Sequence, residues 1–125
     1  MKIKNFEDIE AWKEARNLNK LVYQISRKDP FRRDFGLTGQ IQRASISVMA
    51  NIVEGFDRQS DKEFIQYLSI ASSSASEIQS HLYAALDLAY IKEEQFKILY
   101  DQTTNVKKLI NGFIGYLKGK RPKWA

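Results

Sequence analysis

Between Phe64 and Ala89 eight apolar residues recur in alternating steps of four and three: Phe64, Leu68, Ala71, Ala75, Ile78, Leu82, Ala85 and Ala89. An α-helix turns once in about 3.6 residues, so this period puts all eight on one side of a single long helix. A strand, with its period of two, would scatter them over both faces. A long helix with one apolar seam cannot bury that seam alone and needs helices of similar length beside it. Ser60-Asp-Lys-Glu63, just ahead, forms a capping box, in which the Ser hydroxyl accepts from an early backbone N–H and the Glu carboxylate reaches back. The middle of the helix, Ser69 and Ala71 through Ser76, is built of small residues that let a neighbour approach closely.

Three further segments carry the same signal. Ala11, Ala15, Leu18, Val22 and Ile25, widened by Ile9, Trp12 and Leu21, predict a first helix from about Phe6 or Ile9 to Arg27. Asn5 is its expected N-cap, with Glu7 and Asp8 at the positive end of the dipole, and Asp29-Pro30 stops it. Residues 30–36 read as a connector. Leu37, Ile41, Ala44, Val48 and Ile52 predict a second helix ending at Gly55 or Phe56. Phe96, Leu99, Thr103, Val106, Ile110, Phe113 and Leu117 predict a fourth from about Glu93 to Leu117. Short connections between amphipathic helices make consecutive helices antiparallel. The expectation is one all-α domain over the 125 residues, an antiparallel up-down-up-down four-helix bundle, with a basic tail over 118–125.

The second helix carries more than its place in a bundle requires. A second apolar stripe, Ile46, Met49, Val53 and Phe56, lies on a different face, and a bundle of four helices has no central position for one of them. That stripe is the candidate interface with other copies of the chain. Arg43, Ser47, Asn51 and Glu54 form a polar strip at steps of four, four and three. Burying them unpaired would cost several kcal/mol, so they are expected to meet polar groups of the third helix, Ser74 and Glu77, with Arg43–Glu77 as the first expected pair.

The chain has no cysteine, which excludes disulfides, thiolate catalysis and Cys-based zinc sites. No signal-peptide run and no membrane-length apolar run is present, so a cytoplasmic protein without membrane contact is expected. The net charge of +5 is uneven. Residues 1–28 hold seven Lys or Arg against four acids, and residues 92–125 hold eight against three, whereas residues 61–91 hold one against four. Basic surface of this kind attracts phosphate backbones or acidic proteins. The candidate nucleic-acid contacts are Lys13, Arg16, Lys20, Arg27 and Lys28 on or near the first helix, Lys107 and Lys108 on the fourth, and Lys118, Lys120, Arg121 and Lys123 at the end. Trp124 and the tyrosines offer rings for stacking.

Catalytic patterns are not found. A di-metal carboxylate bundle needs two Glu-x-x-His pairs, and this chain has one histidine. Glu77 and His81, with Glu54 added, are the only grouping that suggests a metal-dependent enzyme. Helical-bundle ribonucleases need an Arg four to seven residues before the catalytic His, and none precedes His81 at that distance. Gly36 and Gly39 fit neither phosphate-binding glycine pattern. No cofactor and no bound metal is expected.

Phe6-Glu-Asp-Ile-Glu-Ala-Trp-Lys-Glu-Ala15, Phe35-Gly-Leu-Thr-Gly-Gln-Ile-Gln-Arg-Ala44, Ser47-x3-Asn51-Ile-Val-Glu-Gly55, and Glu63-Phe64 through Ser74-x2-Glu77 resemble the bacterial proteins encoded by 23S rRNA intervening sequences, the S23 ribosomal protein family. The resemblance covers nearly the whole chain in order. It implies an antiparallel four-helix bundle assembled as a homopentamer. The accessory protein of diversity-generating retroelements looks related, a basic pentamer that engages nucleic acid and a reverse transcriptase. Gln42 stands where the family commonly has Arg, and Ser73 where it usually has Gly. The implied function is a non-enzymatic homo-oligomer, expected as a pentamer, that binds RNA or a ribonucleoprotein. The alternative is a protein-interaction adaptor, such as an accessory subunit of a reverse transcriptase.

Overall fold

The structure is a computed structural model and describes residues 3–119. Within them lie four α-helices: α1 (Glu10–Ser26), α2 (Phe35–Phe56), α3 (Asp61–Asp87) and α4 (Glu93–Gly119). Short 3-10 turns at Phe6–Asp8 and Phe31–Arg33 precede α1 and α2.

The helix ends are set by side chains that tie them to the rest of the fold. Asn5 precedes the first 3-10 turn in extended conformation, but its side chain makes no capping bond, contrary to expectation. What fixes the start of α1 is Ile9, only 1 % exposed, which anchors the chain in the core just before the helix. Helix α2 begins earlier than its apolar stripe suggests because Asp34 caps it. Asp34 Oδ1 accepts from the Leu37 N–H at 3.0 Å, and the Thr38 hydroxyl donates to the Asp34 carbonyl at 2.6 Å. The other carboxylate oxygen accepts from the Tyr90 hydroxyl at 2.9 Å, which ties this cap to the α3–α4 connection. At the start of α3 the Ser60 hydroxyl accepts from the Glu63 N–H at 3.2 Å. The Glu63 carboxylate returns to the Ser60 hydroxyl, at 3.3 Å. Helix α3 ends at Asp87, two residues short of the apolar seam. Ala89 takes a left-handed φ of 61°, and the Tyr90 N–H bonds back to the Ala85 carbonyl at 2.8 Å. The Ala89 N–H also bonds back to the Leu86 carbonyl at 3.0 Å, and the two returning bonds close the helix as in a Schellman motif.

Side-chain bonds between helices give the topology directly. Ser45 of α2 donates to Asn19 of α1, and Gln42 to Ser26, so residue numbers run in opposite directions on the two helices. The pairs Ser47–Ser74 and Gly55–Tyr67 do the same for α2 and α3, and Ser72–Asn111 and Gln79–Thr104 for α3 and α4. Gln102 reaches Glu14 and closes α4 onto α1. The result is the antiparallel up-down-up-down bundle.

Its core is the four seams brought together. Leu18, Val22, Ile41, Val48, Ile52, Leu68, Ile78, Leu82, Val106 and Ile110 have no exposed side-chain surface. Each fully buried aliphatic side chain contributes roughly 1.5–3 kcal/mol relative to exposure. Ala71, Ala75 and Ala85 are equally buried, and with no long side chains between them α3 sits close to its neighbours. Thr103 replaces an aliphatic in the α4 seam without an orphaned group, since its hydroxyl donates to the Leu99 carbonyl at 2.7 Å. Among the described residues, no helix is long and apolar enough to cross a membrane.

Candidate nucleic-acid interface

Along the outer face of α1 several basic side chains stand together without ion-pair partners. Arg16, Lys20 and Arg27 fall within about one side of the helix, and Trp12 and Tyr23 fall on the same side, because the steps between them are three and four. The Arg16 guanidinium lies 5.9 Å from the centre of the Trp12 ring, and that of Arg27 lies 5.3 Å from the Tyr23 ring. Such contacts fix the arginines in place without neutralising them. A shallow surface groove runs along the second half of this face, lined by Asn19, Lys20, Tyr23, Gln24, Arg27 and Lys28. Among the described residues none of Arg16, Lys20, Arg27 and Lys28 is in an ion pair.

The other candidate cations are disposed differently. Lys13 is within 3.4 Å of Glu10. Lys107 is half-buried, and its ammonium donates to Gln79 Oε1 at 3.4 Å, on the side of α4 that meets α3. Lys108 borders an apolar cavity of about 420 Å³ between the start of α1 and α4, with Asp8 and Glu10 on the same rim. Lys118 is exposed in the last turn of α4. Lys120, Arg121, Lys123 and Trp124 lie outside the described residues. The clusters that the charge count marked at the two ends of the chain are therefore unlike. The α1 cluster is a continuous stripe, and the described part of the α4 cluster is divided among separate faces. The sequence missed Asn19 and Gln24, whose amides line the stripe; their spacing of four from Tyr23 and Lys28 was the available signal.

The polar strip of α2 is brought together only in its middle. Ser47 and Ser74 share a hydrogen bond of 2.9 Å across the α2–α3 interface. Asn51 donates to the Ser47 carbonyl at 2.8 Å and to its hydroxyl at 3.0 Å. The two ends of the strip leave this network. Glu54 is exposed and pairs with Arg58 at 3.3 Å, and that guanidinium also donates to the Tyr67 hydroxyl at 2.7 Å. Arg43 and Glu77 line one small groove with Gln40, Ala44, Ser47 and Ser74, but they form no ion pair. Arg43 instead folds back over Gly39, where an added Cβ would stand 3.0 Å from its Nη1. The expected Arg43–Glu77 pair is thus absent within the chain, because the glycine gives the guanidinium a seat one turn away.

Glu54, Glu77 and His81 do not converge. Among the described residues, no cluster of three His, Asp or Glu side chains could hold a metal ion. His81 Nε2 is buried without a hydrogen-bond partner. Burial pulls the His81 imidazole below its ordinary pKa, against a smaller opposing pull from the Glu77 carboxylate. The second apolar stripe of α2 is partly used within the chain, since Met49 and Phe56 pack against the core. Val53 is half-buried, and Ile46 remains 45 % exposed.

These features define a small antiparallel four-helix bundle with an unneutralised basic stripe on one helix and an internal hydroxyl–amide lock between two others. The chain belongs to the 23S rRNA-intervening sequence protein family, whose model matches residues 7–112. A crystal structure of a protein of unknown function from the S23 ribosomal protein family, from Bacteroides thetaiotaomicron, superposes with a TM-score of 0.76 at 26 % sequence identity. The superposition covers 83 % of this chain and 97 % of that one. No curated protein matches the sequence.

Proposed function

We propose that this protein is a non-enzymatic, cytoplasmic homo-oligomer, a pentamer by family resemblance, that binds RNA through the outer face of α1. The observation that carries this reading is the stripe of Arg16, Lys20, Arg27 and Lys28, free of ion pairs and interleaved with Trp12 and Tyr23. Cations at helical spacing track a phosphate backbone, and half-exposed rings between them offer faces for unstacked bases. The amides of Asn19 and Gln24 add donors and acceptors within the same groove. No base-reading element accompanies them, so recognition is of charge and single-stranded character rather than of sequence.

The test is titration of a fluorescent single-stranded RNA with purified protein at low and physiological salt, after a high-salt wash to strip bound nucleic acid. Binding that weakens steeply with salt supports the reading. Affinity that does not change with salt, or no binding at low salt, overturns it. In the second case the stripe is left for an acidic protein surface, such as that of a reverse transcriptase.

A further inference from the structure

Helix α1 carries one arrangement twice: an aromatic ring with an arginine four residues on. Trp12 is followed by Arg16 and Tyr23 by Arg27, so the two units repeat at eleven residues. In each unit the guanidinium lies over the ring, at 5.9 Å in the first and 5.3 Å in the second. Arg27 stands just past the last residue of α1 but keeps helical dihedrals. Eleven residues carry a helix through three turns with an excess of about 20°, which returns the second unit to the face of the first, about 16 Å further along the axis. Phe6 packs edge-on against Trp12, with 5.0 Å between ring centres, and steadies the first unit. Neither arginine is in an ion pair among the described residues. Arg58, which also lies over a ring, 4.8 Å from the centre of Tyr67, is held by Glu54.

A guanidinium backed by a ring is a planar, charged platform. Its outer face can stack a base, and its N–H groups can reach a phosphate. Because the ring already holds it, less side-chain freedom is lost on binding. Lys20 and Asn19 fall between the two arginines in the helix and line the groove, where they suit the phosphates and riboses of connecting nucleotides. We propose that the two units are base-stacking stations at a fixed separation, which take two unstacked bases of one RNA strand, three to five nucleotides apart. This rests on the RNA reading above and names the strand geometry that the site accepts. A strand advances by about 3.4 Å per nucleotide when stacked and about twice that when extended, which sets the three to five. Neighbouring bases cannot reach both stations, and widely separated ones reach both only by closing a loop between them.

The experiment titrates the full chain, washed at high salt, with fluorescent single-stranded RNAs of one length and one charge. In each, all nucleotides but two are abasic, and the two remaining adenosines stand side by side in the first RNA and progressively further apart in the others. Affinity at low salt is expected to rise roughly fivefold or more from the adjacent pair to a separation of three to five nucleotides, then to decline slowly. Arg16→Lys and Arg27→Lys keep the charge and remove the planar face. Each, with its helical content checked by circular dichroism, is expected to abolish the dependence on separation while keeping the wild-type dependence on salt. Affinity that is independent of separation in the wild type overturns the inference, and binding that still weakens with salt then leaves the RNA reading standing. A separation optimum that survives in either lysine variant overturns it too, because the stations then lie elsewhere. Failure to bind an RNA of the same length with every base present, at low salt, removes the RNA reading itself and the inference with it, and is distinguishable from the other two results.

Discussion

Gly55 of α2 lies so close to Tyr67 of α3 that a β-carbon on Gly55 would stand 2.8 Å from the Tyr67 Cβ. It would also stand 2.8 Å from Phe64 Cδ1 and 3.2 Å from the Phe64 carbonyl oxygen. The helices touch backbone to side-chain root at this point, just before the turn that joins them. Neither the Tyr67 Cβ nor the Phe64 carbonyl can move aside by a rotamer change. Gly55→Ala should therefore force α2 and α3 apart, at a cost of about 1–3 kcal/mol for overpacking, offset by up to about 1 kcal/mol of helix propensity. A urea titration should show a lower midpoint. An unchanged or higher midpoint would mean that the approach is looser than the structure has it.

The opposite change should help at Ala89. Its φ of 61° is a conformation that glycine adopts freely and other residues adopt at a cost of about 1–2 kcal/mol. Ala89→Gly should raise the stability by up to about 1 kcal/mol. Gly115 presents the mirror case, since an added Cβ there meets nothing within 4 Å. Gly115→Ala should add up to about 1 kcal/mol from helix propensity alone. Thermal melting of both single variants and of the pair checks these signs, and the two increments should add because the sites share no partner.

The bundle was legible because its seams run almost unbroken. Every member of the α1 seam from Ala11 to Ile25 is buried, as is every member of the α3 seam from Phe64 to Ala85. What failed was local and had tertiary causes. Asn5 looked like a cap, but the buried Ile9 fixes where α1 begins. Ala89 continued the α3 period, yet the chain turns left-handed there, and Tyr90 reaches Asp34 and packs its ring at a tilt against Phe31. Such ties join residues far apart in the chain, and periodicity carries no information about them. At the candidate site, charge counting found the basic ends of the chain. It could not tell that Lys13 is engaged by Glu10 or that Lys107 faces α3, because both depend on what lies beside them. The Arg43–Glu77 expectation failed for a similar reason: Gly39 opens a competing seat.

His81 gives the bundle a pH dependence of definite sign. Its buried Nε2 has no partner, and burial lowers its pKa in the folded state. The unfolded chain therefore takes up a proton at higher pH than the folded one, near the ordinary histidine value of about 6.5. Stability should be constant above that pH and fall as pH drops from there toward the folded-state value. Asp34, whose carboxylate is stabilised by the Leu37 N–H and the Tyr90 hydroxyl, acts in the same direction but only below the ordinary carboxylate range. Urea midpoints at pH 7.5 and 5.5 should therefore differ in the wild type and converge in His81→Gln. An equal difference in the variant would assign the effect to other groups.

The central claim is that α1 carries the RNA contact. It is tested most directly by comparing the salt dependence of RNA affinity in the wild type and in the triple variant Arg16→Gln, Lys20→Gln, Arg27→Gln. These residues are solvent-exposed and free of ion pairs, so the variant should fold. On single-stranded RNA each lost phosphate contact lowers the slope of log affinity against log salt by about 0.7. The triple variant should bind more weakly at low salt, with a slope reduced by about 2. An unchanged affinity and slope would contradict the account and move the contact away from α1.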